Sequence, residues 1–161
     1  SAIGGCNKGG TFLVQTGEER IQRWLVRRLA ACVPDFEQAK KISIRVSSHP
    51  MRRNFDAFWQ EFKQDLGDNL NRKTVIQGLA KFCETKSVIF IVYGLSSLDA
   101  EKVAQFYNFW SDLVEKVRST QCCFRSRLVL IFAEKNRATV MNKLHPFTFV
   151  QPSITKQTQS A

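Results

Sequence analysis

Histidine is scarce in this sequence: the chain has two, His49 and His145, and each is followed by proline. Neither has a cysteine or a second histidine at the spacing that zinc sites use, so we expect no metal, and no pattern predicts another cofactor. A cysteine–histidine nucleophile would need a histidine beside a cysteine at a strand end. Cys122 or Cys123 with His145 stays open as such a pair, but no local pattern supports it.

Long apolar runs are also lacking. The longest, residues 88–95, is far shorter than the ~20 residues of a membrane helix, and the chain does not open with a secretory pattern. The five cysteines are an odd number without metal spacing, and Cys32 and Cys83 fall on apolar faces, as small core residues do. We therefore predict a soluble, cytoplasmic protein without membrane contact.

Acidic residues are few, with 14 against 24 lysines and arginines, and the formal net charge is +10. Such a balance favours a polyanionic partner, but a basic solvated surface explains it equally well. The sequence contains no aromatic-bearing strand of the kind that binds RNA. A basic nucleic-acid-binding module is therefore an alternative that we do not favour.

The composition favours one folded domain. The chain has 161 residues, of which 43% are hydrophobic, and this is enough to bury a substantial core. Residues 1–10 carry four glycines and are predicted to be a flexible lead-in or linker. Residues 11–150 are predicted to form a single α/β domain, and residues 151–161 a polar tail.

The order of the apolar patterns predicts the fold class. Strand-like runs read "TFLVQ", "KKISIRVSS", "SVIFIVYGL" and "RLVLIFAE", with a short edge element after them. Helical patterns separate these runs, and such alternation gives a mainly parallel sheet with helices on both faces. We predict a three-layer α/β/α fold in which the first and third strands run side by side in the same sense.

Apolar residues at helical spacing predict the buried helix faces. The first helix is predicted to bury Ile21, Trp24, Leu25, Leu29 and Cys32. The second is predicted to bury Phe55, Phe58, Trp59 and Phe62. Asn54 and Gly67 suit the ends of this second helix, and Ser96 with Asp99 resembles a capping box for a later, longer one. Trp24 is accordingly interpreted as a core residue rather than a stacking platform.

The stretch "TFLVQTGEERIQRWLVRRLA" places a glycine between the first strand and its helix, where many α/β proteins bind phosphate. A working phosphate loop reads G-x-x-x-x-G-K-[S/T]: its glycines admit the phosphates, its lysine bridges the outer ones and its hydroxyl holds Mg²⁺. Gly17 keeps the first position. Gln22 replaces the second glycine, Arg23 replaces the lysine and Trp24 replaces the hydroxyl, so this loop lacks a magnesium ligand.

A second metal-supporting position is missing as well. Nucleotide hydrolases of this layout end an apolar strand with an aspartate that supports the metal. Here "VIFIV" is followed by Tyr93 and Gly94, and Asp99 lies beyond the following loop. Because two positions at two strand ends fail together, we predict a protein that is not an enzyme.

The layout, with "FLVQTGEERIQRWLVRRL" followed by "SVIFIVYGL", resembles the inactive STAND domains of bacterial signalling and conflict-system proteins. These are P-loop-NTPase-like modules with degenerate phosphate-loop and acidic-strand residues. The resemblance implies a degenerate P-loop NTPase-like fold and a regulatory or adaptor role, exercised through protein partners or fused effector and sensor domains. It also implies that the phosphate-loop positions and the strand end are vestigial: Gly17, Gln22, Arg23, Trp24, Tyr93 and Gly94.

Arg20, Arg23 and Arg27 form a row along the first helix and are candidate anion contacts. A third hypothesis follows from this row. The domain would bind a nucleotide without hydrolysing it, with Arg23 and the start of the helix as the anion site.

Overall fold

The structure, a computed structural model, describes residues 9–120, 127–135 and 148–150. The strands are β1 Gly9–Gln15, β2 Lys40–Arg45, β3 Val88–Tyr93, β4 Leu128–Glu134 and β5 Thr148–Val150. The α-helices are α1 Glu19–Ala31, α2 Lys63–Leu66, α3 Arg72–Phe82 and α4 Ala100–Ser119. Short 3₁₀ helices are Val46–Ser48, Pro50–Arg52, Phe55–Phe62 and Leu95–Ser97. β1 thus begins two residues before the predicted domain boundary, and the predicted tail, residues 151–161, lies outside the described residues.

The five strands form one parallel sheet in the order β2-β3-β4-β1-β5. The predicted parallel sheet is confirmed, but the expectation that the first and third strands are neighbours is wrong, because β4 lies between them. All seven residues of β4 are buried. A strand that is apolar on both faces needs a central place in the sheet, with a neighbour at each edge and a layer on each face.

Helices cover both faces of the sheet, which confirms the three-layer architecture. On one face, the 3₁₀ segment Phe55–Phe62 and the helices α3 and α4 pack on the side chains of β2, β3 and β4. On the other face, α1 packs on Val129 and Ile131 of β4 and on their neighbours in the sheet. Among the described residues, no helix is both long and apolar enough to cross a membrane.

The buried face of α1 differs from the predicted one. Its buried residues are Gln22, Val26 and Ala30, whereas Trp24 and Cys32 are exposed. The expectation that Trp24 and Cys32 are core residues is therefore wrong. The small side chains of Val26 and Ala30 let the helix approach the sheet closely, and the larger leucines flank this contact. Cys83 is buried, as predicted.

The predicted aromatic stripe is confirmed as core. Phe58 packs against five other rings, with centroid separations of 5.2 to 5.7 Å: Phe55, Trp59, Phe62, Phe106 and Phe109. The segment is a 3₁₀ helix rather than the expected α-helix. Because side chains three apart eclipse in a 3₁₀ helix, Phe55 packs against Phe58 with a centroid separation of 5.6 Å.

The predicted end signals are mostly confirmed. The Asn54 side chain accepts a hydrogen bond from the Asp56 N–H at 3.1 Å, and Gly67 ends α2 at a φ of 88°. Asp99 caps α4 by accepting from the Lys102 N–H at 2.9 Å. Ser96, the other half of the expected capping box, lies in the preceding 3₁₀ turn and bonds elsewhere.

Phe58 should be a sensitive position for stability, because it is fully buried and central to the ring cluster. We expect Phe58→Ala to lower the free energy of unfolding by about 3–5 kcal/mol, as for other buried phenylalanines. Urea unfolding followed by circular dichroism measures this. Trp24→Ala, at an exposed position, serves as the control and should cost well under half as much; equal losses would contradict the assignment of the core.

Candidate functional site

The carboxyl ends of β3, β4 and β1 lie side by side, at the edge where open parallel sheets bind ligands. At this edge Gln15 lies opposite Glu134. Two backbone hydrogen bonds continue the pairing beyond the strand ends. The Thr16 N–H donates to the Glu134 carbonyl at 3.1 Å, and the Gly94 N–H donates to the Ala133 carbonyl at 2.9 Å. Backbone hydrogen bonds therefore join the three strand ends at the candidate site.

The connection between β1 and α1 is only three residues long, residues 16–18. Within it, the Thr16 hydroxyl accepts a hydrogen bond from the Glu18 N–H at 3.2 Å. The Gln22 N–H donates to the Glu18 carbonyl at 2.9 Å, so helical bonding begins at once. A phosphate loop needs an arc of free N–H groups around its ligand. This connection is too short to form one.

The other predicted loop positions lie in α1. Gln22 is 4% exposed and faces the sheet, whereas Arg23 and Trp24 are exposed. Beyond the first turn of a helix, backbone N–H groups bond to carbonyls four residues earlier. The backbone at Gln22, Arg23 and Trp24 therefore cannot bind phosphate, whichever side chains it carries.

Two carboxylates stand at the start of α1, where a phosphate would bind. Glu18 is the N-cap residue and Glu19 the first helical one. The Glu19 carboxylate pairs with Arg23 at 3.2 Å and with Arg45 at 3.7 Å. Negative side chains at a helix start interact favourably with the helix dipole and repel a further anion. The arrangement argues against an anion site made of Arg23 and the helix start.

Gly17 occupies a backbone position that does not require glycine. Its φ is not positive, unlike that of Gly94, which is 75°. No described atom lies within 4 Å of the point where a Cβ would stand at Gly17. The turn thus uses neither the conformational freedom of glycine nor its small size.

Tyr93 stands at the strand end where an acidic residue was sought, and it lies among arginines. The Arg45 guanidinium lies over its ring, 5.1 Å from the centroid. Burial raises the pKa of Tyr93, while the charges of Arg45, Arg23 and Arg27 oppose the rise. Such surroundings repel a metal cation.

The predicted anion contacts are only partly brought together. Arg23 and Arg27 lie near enough to Tyr93 to lower its pKa, and Arg45 joins them from the end of β2. Arg20 is exposed in the first turn of α1. Sequence reasoning missed Arg45, although it ends the alternating run "KKISIR" and could have been found by asking which residue ends each strand.

Glu134 is the acidic residue that the sequence reasoning missed. It ends β4, between β1 and β3, and is 3% exposed. Its carboxylate accepts hydrogen bonds from the Ser96 N–H at 3.1 Å and the Ser96 hydroxyl at 2.8 Å. Burial raises the pKa of Glu134 above its ordinary value of 4.5, and the bonds from Ser96 oppose the rise. The side chain fastens the turn that follows β3 to the end of β4.

A signal for Glu134 was present in the sequence. The run "RLVLIFAE" is an apolar strand that ends in an acid, the same pattern that was sought after "VIFIV". The predicted strand order does not place Glu134 at the site, because it makes the third strand rather than the fourth the neighbour of the first.

Metal and nucleophile chemistry gain no support from the described residues. No three of their histidine, cysteine or acidic side chains lie together as a metal-binding group. Both Glu134 oxygens already accept bonds from Ser96. The alternative pair of Cys122 or Cys123 with His145 falls outside the described residues.

Comparison with known proteins shows the family. A family model described as "inactive STAND" matches residues 5–133. The chain belongs to the inactive STAND family. The crystal structure of Cdc6p from Pyrobaculum aerophilum has a similar fold, with a TM-score of 0.50 and 18% sequence identity. The match covers 89% of this chain and 38% of that one, so this domain spans well under half of the solved protein. No curated protein matches.

The inactive STAND domain therefore has the degenerate P-loop NTPase-like fold that the sequence predicted. The family description names an inactive module, which agrees with a β1–α1 connection that cannot surround a phosphate. The predicted vestigial roles of the individual residues stay predictions.

The two glycines of the edge should respond in opposite ways to alanine. Gly17→Ala should leave the free energy of unfolding unchanged or raise it by about 0.5 kcal/mol, because the unfolded chain loses freedom. Gly94→Ala should lower it by about 1–2 kcal/mol, because an alanine is strained at a φ of 75°. Urea unfolding of both variants measures this. A large loss at Gly17 would show that its backbone is more constrained than the structure indicates.

Glu134 should make stability fall as pH rises. Its pKa is higher in the folded protein than the ordinary 4.5, so the folded state holds the proton to higher pH than the unfolded chain. The contribution of the protonated Glu134 to the free energy of unfolding is thus fully present below pH 4.5 and is lost as pH rises through the pKa of the folded state. Glu134→Gln keeps partners for Ser96 without the buried charge. The free energy of unfolding of the Glu134→Gln variant, relative to that of the native protein, should increase as pH rises over that interval.

Urea unfolding across a pH series tests this, with Glu84→Gln at an exposed position as the control. The control removes the same side-chain charge at a position outside the buried core. A Glu134→Gln difference that stayed constant, or that shrank as pH rose, would be inconsistent with a desolvated carboxylate.

Proposed function

We propose that this domain is a non-catalytic, NTPase-like regulatory or adaptor module that works through protein contacts in a bacterial signalling or defence assembly. The observation that carries the proposal is the junction of β1 and α1. Its three-residue connection leads directly into helix, and the first positions of that helix are the acidic residues Glu18 and Glu19.

Phosphoryl transfer depends on positioning and on electrostatic stabilisation of the transferred group. The described edge offers one buried carboxylate, Glu134, and both its oxygens are engaged by Ser96. Tyr93, at the neighbouring strand end, lies among arginine charges that oppose a cation. The residues of this edge suit a fixed structural element better than a catalytic one.

The core of the domain consists of the chain's own apolar side chains, chiefly the ring cluster around Phe58 and the buried strand β4. The helix start is neutralised by its own carboxylates instead of by a phosphate. A domain that keeps its frame while losing the nucleotide can still present surfaces to other proteins, and this supports an adaptor role.

Titration with ATP and GTP, with and without Mg²⁺, tests the proposal through the melting temperature and phosphate release. A nucleotide at 100 times its Kd would add about 2.7 kcal/mol to the stability. For a domain of this size that is a shift of several degrees. We expect no magnesium-dependent shift and no turnover.

Magnesium-dependent stabilisation together with phosphate release would overturn the proposed function. Stabilisation without turnover would favour the alternative of a nucleotide binder. Arg23→Glu is the matched control for that alternative, because it should remove any binding that uses the start of α1.

A further inference from the structure

The exposed side of α1 carries an apolar residue that the core does not use. Trp24 is 43% exposed and is the one exposed large apolar side chain in the part of the chain that the structure describes. The Arg28 guanidinium lies over its ring, 5.1 Å from the centroid. The other tryptophans, Trp59 and Trp110, are buried. An exposed tryptophan supported by an arginine is a strong candidate for a binding contact.

Trp24 shares α1 with four arginines. We call this region the α1 surface and define it as Trp24 together with Arg20, Arg23, Arg27 and Arg28 of α1 and Arg45 at the end of β2. Arg23, Arg27 and Arg45 converge on Tyr93. Glu18 and Glu19 lie at one end of the surface, so five positive charges face two negative ones. At 13 residues, α1 is about 20 Å long, enough for a peptide or helix to lie along it.

We propose that the α1 surface is the docking site for an acidic segment of another protein. This inference rests on the proposed function as an adaptor and names the chemistry of its partner. Carboxylates of the partner pair with the arginines, and an apolar side chain packs on the open edge of Trp24. Tryptophan and arginine are the residues most enriched at the energetic centres of protein interfaces.

Two features favour a protein over a nucleic acid. Arg28 covers one face of the Trp24 ring, which a base would need for stacking. Glu19 lies at one end of the surface and is shared by Arg23 and Arg45. A phosphate backbone carries charge at every nucleotide and meets this carboxylate with repulsion. A polypeptide can place a neutral residue there.

The occupant is neither a second copy of this domain nor one of the stretches of the sequence that lie outside the described residues. Two copies of the chain, each with a net charge of +10, repel each other. The stretches outside the described residues contain no aspartate or glutamate: residues 1–8, 121–126, 136–147 and 151–161. They cannot supply the acidic segment.

The test uses a fluorescein-labelled peptide of glutamates with leucine at every fourth position, and a single-stranded oligothymidylate as the nucleic-acid probe. Fluorescence polarisation measures binding to the full chain across a salt series. Acrylamide quenching of tryptophan reports whether the peptide covers Trp24. We expect the peptide to bind more tightly than the oligothymidylate, to weaken as salt rises, and to protect Trp24 from acrylamide.

Variants locate the contact. Trp24→Ala, and Arg20→Glu combined with Arg27→Glu, should each weaken peptide binding by about tenfold or more. Lys73→Glu combined with Lys81→Glu makes the same charge change on α3, across the sheet, and should weaken it by less than about threefold. Glu19→Gln should tighten binding, because it frees Arg23 and Arg45. Circular dichroism checks that each variant is folded; Trp24→Ala, at an exposed position, remains informative if the arginine variant is not.

Three results would overturn the inference: no binding of the acidic peptide, equal losses in the α3 control, or tighter binding of oligothymidylate that the same substitutions abolish. The last would identify the α1 surface as a nucleic-acid site. These failures are distinct from failure of the proposed function, which is decided by magnesium-dependent turnover and not by peptide binding.

Discussion

Burial of β4 on both faces and along both edges is the constraint on which the rest of this domain depends. Because residues 128–133 of β4 are all apolar, the strand takes the central place between β1 and β3, with α4 on one face and α1 on the other. Its last residue, Glu134, is consequently held in the middle of the functional edge and is desolvated there. Ser96 compensates this burial and fixes the turn after β3. The geometry of the edge thus follows from where the most apolar strand must lie.

The parts of the fold that rest on local patterns could be predicted from the sequence. Continuous apolar runs identified the inner strands, and aromatic residues three and four apart identified the stripe around Phe58, because both patterns record burial directly. The order of the strands could not be predicted from local patterns, since it depends on the position in the sheet to which each crossover connection leads. Without the strand order, the sequence does not place β4 beside β1, and it does not indicate Glu134 as a residue of the functional edge. Trp24 was misjudged for a related reason: α1 has apolar residues on two adjoining sides, and only contact with the sheet decides that Val26 and Ala30 face inward.

The sequence predicts the chemistry of the degenerate site, but it does not predict the geometry of the backbone there. The sequence showed that Gln22, Arg23 and Trp24 depart from a phosphate loop. It did not show that α1 begins at Glu19, which removes the loop itself. The β1–α1 connection therefore differs from a phosphate loop in its backbone conformation as well as in its side chains. Restoring lysine and threonine at positions 23 and 24 would place them on a helix, away from any arc of free N–H groups.

The two glutamates at the start of α1 connect the loss of the phosphate to the charge of the remaining surface. In a nucleotide-binding domain the ligand's phosphates neutralise the helix start and the nearby basic residues. Here Glu18 and Glu19 neutralise the helix start internally, and Glu19 is shared by two arginines, Arg23 and Arg45. The two ion pairs of Glu19 offset positive charge only near the start of the helix, and the four arginines of α1 outnumber its one glutamate. This excess of positive charge is what an acidic partner of the kind proposed above would meet.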